Sequence, residues 1–224
     1  MAIDIEHQPP VVRARTFVDR YSAFARVNHW ITAITFSLLT LSGLALFHPS
    51  LYFLTALFGG GALTRAIHPW LGVILLISFF GMFLQFWRMN LWNRDDTQWM
   101  KQIGDVVKGD EERLPELDKY NAGQKGVFWG QALMILVLFT TGLVIWDQYF
   151  GGYVTIETNR LAALIHAVMA FFAIMLIIVH IYAGIWVRGS VASMTRGKVT
   201  GGWAWRHHRK WLRRTVKGER APGE

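Results

Sequence analysis

Residues 164–182 read LIHAVMAFFAIMLIIVHIY, and two histidines, His166 and His180, stand inside this otherwise apolar run. The run is long enough to cross a bilayer, where an ionisable side chain is costly and marks function by default. On a helix, the 14 residues from 166 to 180 amount to about four turns and about 21 Å of rise, so both histidines face the same way. Each therefore needs a partner at its own depth. Eight histidines occur, at 7, 29, 48, 68, 166, 180, 207 and 208. Two of them, His29 and His68, open apolar segments of their own.

Four stretches reach the length of about 20 apolar residues that a spanning helix needs. They run over roughly 29–47, 68–87, 125–146 and 161–187. Residues 51–58 are also apolar, but Pro49 and Gly59-Gly60-Gly61 bracket them; that stretch reads as an interfacial or re-entrant piece of the first loop. Lys plus Arg number 4 in residues 1–28, 1 in 48–67, 6 in 88–123, 0 in 147–159 and 10 in 188–224. By the positive-inside rule both termini and the middle loop are cytoplasmic. The expected fold is all-α: an integral membrane four-helix bundle, with a leader over 1–28, the bundle over 29–187 and a basic tail over 188–224. In this topology His68 and His166 lie near the outer surface, and His29 and His180 near the inner one.

Neutral imidazole is a good ligand for iron. Two axial imidazoles fill both open positions of a haem, leaving no site for oxygen, so such a group shuttles electrons. Two haems at the two depths would carry electrons across the membrane. The chain has no cysteine, which excludes disulfides, Fe–S ligation and thioether-linked haem within it. Gly43 follows His29 by 14 residues, so it shares that face at the depth of the outer pair, where a missing side chain would admit a porphyrin. The competing reading is a haem-free membrane anchor or proton relay. A relay wants a continuous polar chain, yet Ile174 to Ile178 fill the gap with apolar side chains. His48 reads as a surface residue, His207 and His208 as solvated among the tail arginines, and His7 as part of a polar leader.

Just before the third span stands DKYNAGQK, 118–125. Asn121 is an N-cap candidate and Gly123 allows close backbone approach. The segment reads either as a plain helix start or as hydrogen-bonding groups for a quinone head at the depth of the inner pair. In 96–107, Trp99, Ile103, Val106 and Val107 fall on one helical face and predict a short amphipathic helix lying on the membrane.

Composition agrees with a membrane domain. Of 224 residues 53% are hydrophobic, only 17% are charged, and mean hydropathy is +0.28; ordinary soluble chains carry about 25% charged residues. The net charge of +8 gathers in the cytoplasmic segments, which points to anionic headgroups rather than nucleic acid. The first 28 residues hold no apolar core of a cleavable signal.

Six stretches together, NHW (28–30), IHPWLG (67–72), KYNAGQK (119–125), LIHA (164–167), HIYAGIW (180–186) and WRHHRKW (205–211), resemble the gamma subunit of respiratory membrane-bound formate dehydrogenase, a b556-type cytochrome of four transmembrane helices. The resemblance implies that His68 and His166 bind an outer haem b, and His29 and His180 an inner one. It places Asn121, Gly123 and Gln124, with His180, around a quinone (menaquinone or ubiquinone). It also implies an Fe–S beta subunit and a molybdenum- or tungsten-pterin alpha subunit, which oxidises formate, as partners in a bacterial inner membrane. The histidine pairs alone fit the cytochrome b of a nickel–iron hydrogenase equally well; KYNAGQK favours the formate dehydrogenase.

Overall fold

The computed structural model describes residues 17–109 and 114–219; His7, the first sixteen residues of the leader and the last five of the tail lie outside them. Among the described residues, four helices are long and apolar enough to span a membrane: α1 (Ala23–Phe47), α2 (Gly61–Phe86), α5 (Ala122–Val144) and α7 (Ile156–Trp186). Each begins about one to two turns before its apolar run, because local hydrogen bonds extend it outward. Ser22 Oγ accepts from the Ala25 amide before α1, and Thr155 Oγ1 from the Thr158 amide before α7. Pro49, next to His48, stops α1. The apolar stretch after it is a 3₁₀ helix, Pro49–Phe58, N-capped by the His48 side chain, and His48 is exposed as expected. Between 11% and 17% of each spanning window is buried within the chain, so these helices present apolar surface nearly all round, the pattern of a helix whose surroundings are lipid or a ligand.

The chain divides into two compact units. One comprises Val27–Phe83 and Gly130–Val179 and is built from segments of all four spanning helices. Its core is Leu75, Phe79 and Ile135, with Phe36 and Leu39 packed against them. Polar ties join the helices in pairs. Asn28 Nδ2 donates to the Ser78 carbonyl, and Gln131 Nε2 to the Ala173 carbonyl, each at 3.0 Å.

The other unit comprises Met1–Arg26, Leu84–Trp129 and His180–Glu224. Its middle segment folds as two helices, α3 (Arg94–Lys101) and α4 (Ile103–Lys108), broken at Gln102. The single membrane-lying helix expected over 96–107 is therefore replaced by a bent pair. Of the four residues of the expected face, Trp99 and Val106 pack against Leu117, Ala122 and Leu114, whereas Ile103 and Val107 are exposed. Asp96 closes a capping box with Asn93 and accepts from Lys125 Nζ at 2.6 Å, with both side chains almost wholly buried. Truncating either member of such a pair strands a buried charge. It thereby anchors the middle segment to the first turn of α5.

A short helix α6 (Asp147–Phe150) precedes α7, and α8 (Ser190–Thr195) follows it. The tail is folded. Strand β2 (Lys198–Thr200) pairs antiparallel with β1 (Phe17–Asp19) in the leader, Val18 facing Val199. Helices α9 (Gly201–His207) and α10 (Arg209–Val216) then close a small core of Val199, Ala204, Trp211 and Leu212. The basic residues meet acids of the middle segment: Lys210 to Asp95 at 2.8 Å, Arg213 to Glu116 and Arg214 to Asp118 at 2.7 Å. His208, expected in solvent, is 1% exposed, because Trp211 and Leu212 beside it must be buried. Its Nδ1–H donates to the Asp118 carbonyl at 2.6 Å, which leaves Nε2 to accept from Arg20 at 3.2 Å. Arg20 donates on to the Lys119 carbonyl, its guanidinium 4.9 Å from the ring centres of both Trp203 and Trp211.

Burial, and then the Arg20 charge, push the His208 pKa well below its ordinary value. The folded state thus binds fewer protons than the unfolded one below about pH 6.5, so the stability that the neutral ring contributes is full above that value and is lost progressively as pH falls from it toward the depressed folded value. Stability in detergent should therefore fall by up to about 1.4 kcal/mol per pH unit from this group below about pH 6.5, lowering the thermal midpoint between pH 7 and pH 5, and His208→Gln should flatten the slope. Equal slopes in the two proteins would contradict the buried neutral ring.

Candidate functional site

Within the unit Val27–Phe83 and Gly130–Val179, α2 carries His68 and α7 carries His166, and the two rings meet. Their centroids are 6.4 Å apart and their planes 65° from parallel. Two imidazoles that share one metal, each nitrogen about 2 Å from it, have centres roughly 6 Å apart. The observed separation fits a single metal ion between them.

Which nitrogen faces the gap is decided by α1 and α5. Ser42 Oγ donates to the Leu38 and Leu39 carbonyls and lies 2.8 Å from His68 Nδ1. Thr141 Oγ1 donates to the Val137 and Leu138 carbonyls and lies 2.9 Å from His166 Nδ1. A hydroxyl has one proton. With that proton committed to the preceding turn, each oxygen can only accept, so Nδ1 of each ring carries the hydrogen. Each Nε2 is then left with a lone pair, the form in which neutral imidazole binds metal.

A glycine follows each hydroxyl residue. A Cβ on Gly43 would meet His68 Cε1 at 3.3 Å, and one on Gly142 would meet His166 Cε1 at 3.5 Å. The close approach of Gly43 to the outer pair was visible in its spacing from His29. Gly142, Ser42 and Thr141 were not singled out by sequence; the matching doublets Ser42-Gly43 and Thr141-Gly142 were the available signal. No group of three or more His, Cys, Asp or Glu that could hold an ion occurs among the described residues, so the ligand set here is a pair.

His29 lies on α1, half-buried, in the same unit. His180 lies on α7 in the other unit, together with Asn121, Gly123 and Gln124. Asn121 and Gln124 form a reciprocal capping box that starts α5: the Gln124 amide donates to Asn121 Oδ1 at 2.8 Å, and the Asn121 amide to Gln124 Oε1 at 3.0 Å. The plain helix-start reading is thus satisfied, and it uses only the side-chain oxygens, so both NH2 groups remain as donors. A Cβ on Gly123 would meet the Trp99 ring at 3.3 Å, so this glycine also lets α3 pack on α5. Asn121 further lines a cavity of about 80 Å³ with Trp99, Val187 and His207. His207, read as solvated, is half-buried there.

Ser42→Ala should leave His68 Nδ1–H buried without an acceptor and cost about 1–3 kcal/mol of stability. Ser42→Thr, which copies the Thr141 arrangement, should retain most of it. Thermal unfolding of the three proteins in one detergent checks this, and equal midpoints would contradict the assigned tautomer.

A sequence profile of prokaryotic cytochrome b561 matches residues 20–197, which include all four spanning helices and the four histidines within them. The chain is similar to the cytochrome b556(fdo) subunit of formate dehydrogenase from Escherichia coli K12, 40% identical over 206 residues that cover 92% of this chain and 97% of the relative. It is 38% identical over 209 residues to the cytochrome b556(Fdn) subunit of the nitrate-inducible formate dehydrogenase of the same strain, covering 93% of each. It is 36% identical over 214 residues to the formate dehydrogenase cytochrome b556 subunit of Haemophilus influenzae, covering 96% and 87%. Four spanning helices, two histidine rings 6.4 Å apart between them, and these likenesses converge: the chain belongs to the prokaryotic cytochrome b561 family of multi-pass membrane haem b proteins.

Proposed function

We propose that this chain is the membrane cytochrome b subunit of a formate dehydrogenase, binding two b haems and passing electrons across the membrane to quinone. The observation that carries the reading is the His68–His166 pair, with ring centres 6.4 Å apart and each Nδ1–H held by a hydroxyl. These residues would hold the outer haem iron through Nε2. His29 and His180 would hold the inner one; the 14-residue spacing along α7 supports this, since it sets His180 about 21 Å further along the same face as His166. Each haem, once bound, supplies a reversible one-electron carrier with no open coordination position. The chain's own part is to orient the imidazoles, fix their tautomer and exclude water with apolar helix surface.

Quinone would be reduced beside His180, with the NH2 groups of Asn121 and Gln124 donating to a carbonyl oxygen and Gly123 admitting the ring close to the backbone. The count of basic residues supports a cytoplasmic position for this segment, and with it an inner-membrane protein whose two termini are inside. Electrons would then enter from an Fe–S beta subunit on the outer face, fed by a molybdenum- or tungsten-pterin alpha subunit. The formate dehydrogenase subunits among its relatives favour this partner over a nickel–iron hydrogenase.

Two sets of variants test the reading. His68→Ala should lower haem b content from about two per chain to about one and stop formate-driven reduction of the remainder. Asn121→Ala and Gln124→Ala should keep both haems and slow their reoxidation by quinone. Full haem content in His68→Ala would overturn the outer assignment, and unchanged reoxidation in both amide variants would move the quinone elsewhere.

A further inference from the structure

The quinone reading leaves the source of protons open, and the WRHHRKW tail motif without a task. Both meet in one cavity. It lies in the unit that holds Asn121 and has a volume of about 80 Å³, room for roughly half a dozen waters at about 10–15 Å³ each. Trp99 and Val187 give it an apolar wall, Asn121 lines it, and His207 lines it too. We propose that His207 is the proton-delivering residue of the quinone site, acting through this cavity toward the carbonyl oxygen held at Asn121. The inference rests on the quinone reading above.

The other groups around the cavity are poor donors. Arg206 and Arg209 do not release protons in proteins. Glu116 is engaged by Arg209 at 3.6 Å and by Arg213 at 2.7 Å. His208, the next residue, is committed through both ring nitrogens to the Asp118 carbonyl and to Arg20. Imidazole is the side-chain type that loads and releases a proton between pH 5 and pH 8, which suits a group that must be recharged from water at each turnover. The ring lies against Trp203, centroids 5.2 Å apart and planes 52° from parallel, and the residue closes α9 on the folded tail rather than hanging from a loose end.

The step balances as follows. Quinone takes two electrons, one at a time, from the b-type haem of this chain, and two protons, so that both carbonyls become hydroxyls. The N–H bond of the His207 imidazolium breaks as the O–H bond forms at the oxygen beside Asn121, and the neutral ring takes a proton back from water. The far carbonyl oxygen takes its proton from water directly.

The test uses the assembled complex, with its haem reduced beforehand and reoxidised in a stopped-flow instrument by decylubiquinone or menadione from pH 5.5 to pH 8.5. In His207→Gln and His207→Ala the rate at pH 7 should fall about 100-fold, the size expected for loss of a positioned acid. The pH dependence should flatten, haem content and reduced spectrum should stay unchanged, and added imidazole should restore part of the rate in the Ala variant. Wild-type rates and pH profile in both variants, with Asn121→Ala still slow, would overturn the role of His207 alone. Wild-type rates in all three would overturn the quinone reading with it. Slow rates without imidazole rescue and with an unflattened pH profile would make His207 a packing residue and overturn proton delivery.

Discussion

An imidazole can offer a lone pair to iron through one nitrogen only while its proton sits on the other. In a hydrocarbon environment that proton must find an acceptor, or the ring pays for its burial. The hydroxyls of Ser42 and Thr141 supply it, and they can do so only because their own hydrogens are tied to the turn below. From this follows the local build of all four spanning helices. Two of them, α2 and α7, carry the rings. The other two, α1 and α5, present a hydroxyl and then a glycine at the same point, the hydroxyl to hold the ring and the glycine to let it come close. Serine and threonine are poor choices for an apolar helix unless they bond their own backbone; here that bond sets the direction of the next one.

The unit that contains Asn121 is held by a different logic. Its helices are short, and two small apolar cores, charge pairs and aromatic contacts join them. Lys125 and Asp96 pin α3 to α5, and Lys210, Arg213 and Arg214 tie the tail to acids in the middle segment. Arg20 bridges three separate stretches of chain, touching the carbonyl of Lys119, the ring of His208 and two tryptophans. Arg214, His208 and Arg20 meet Asp118 and Lys119, immediately before the capping box of Asn121 and Gln124. The tail is thereby packed against the stretch that leads into Asn121 and Gln124, the residues proposed to face quinone.

The spanning helices were legible because bilayer length and the scarcity of charge leave few alternatives. The meeting of His68 and His166 was legible because depth is ordered along each span, so helices of opposite direction can be paired from their ends. The acceptors for those rings were not, since a serine or threonine in an apolar run looks like ordinary helix packing until a neighbour is known. The burial of His208 was hidden for the opposite reason: arginine and lysine surround it in sequence, and only the pairing of β1 with β2 shows that Trp211 and Leu212 have a core to enter. The face of 96–107 is not one continuous helix, because Gln102 breaks it, and Trp99 on that face packs against Leu117 and Ala122.

The most direct measurement is a pyridine haemochrome assay on the purified chain, with a dithionite-reduced minus oxidised spectrum of the same sample. About two b haems per folded chain, low-spin on reduction, is the result predicted by four histidines acting as two axial pairs. One haem per chain would contradict the two-haem path across the membrane, and none in demonstrably folded protein would contradict haem ligation by these histidines altogether.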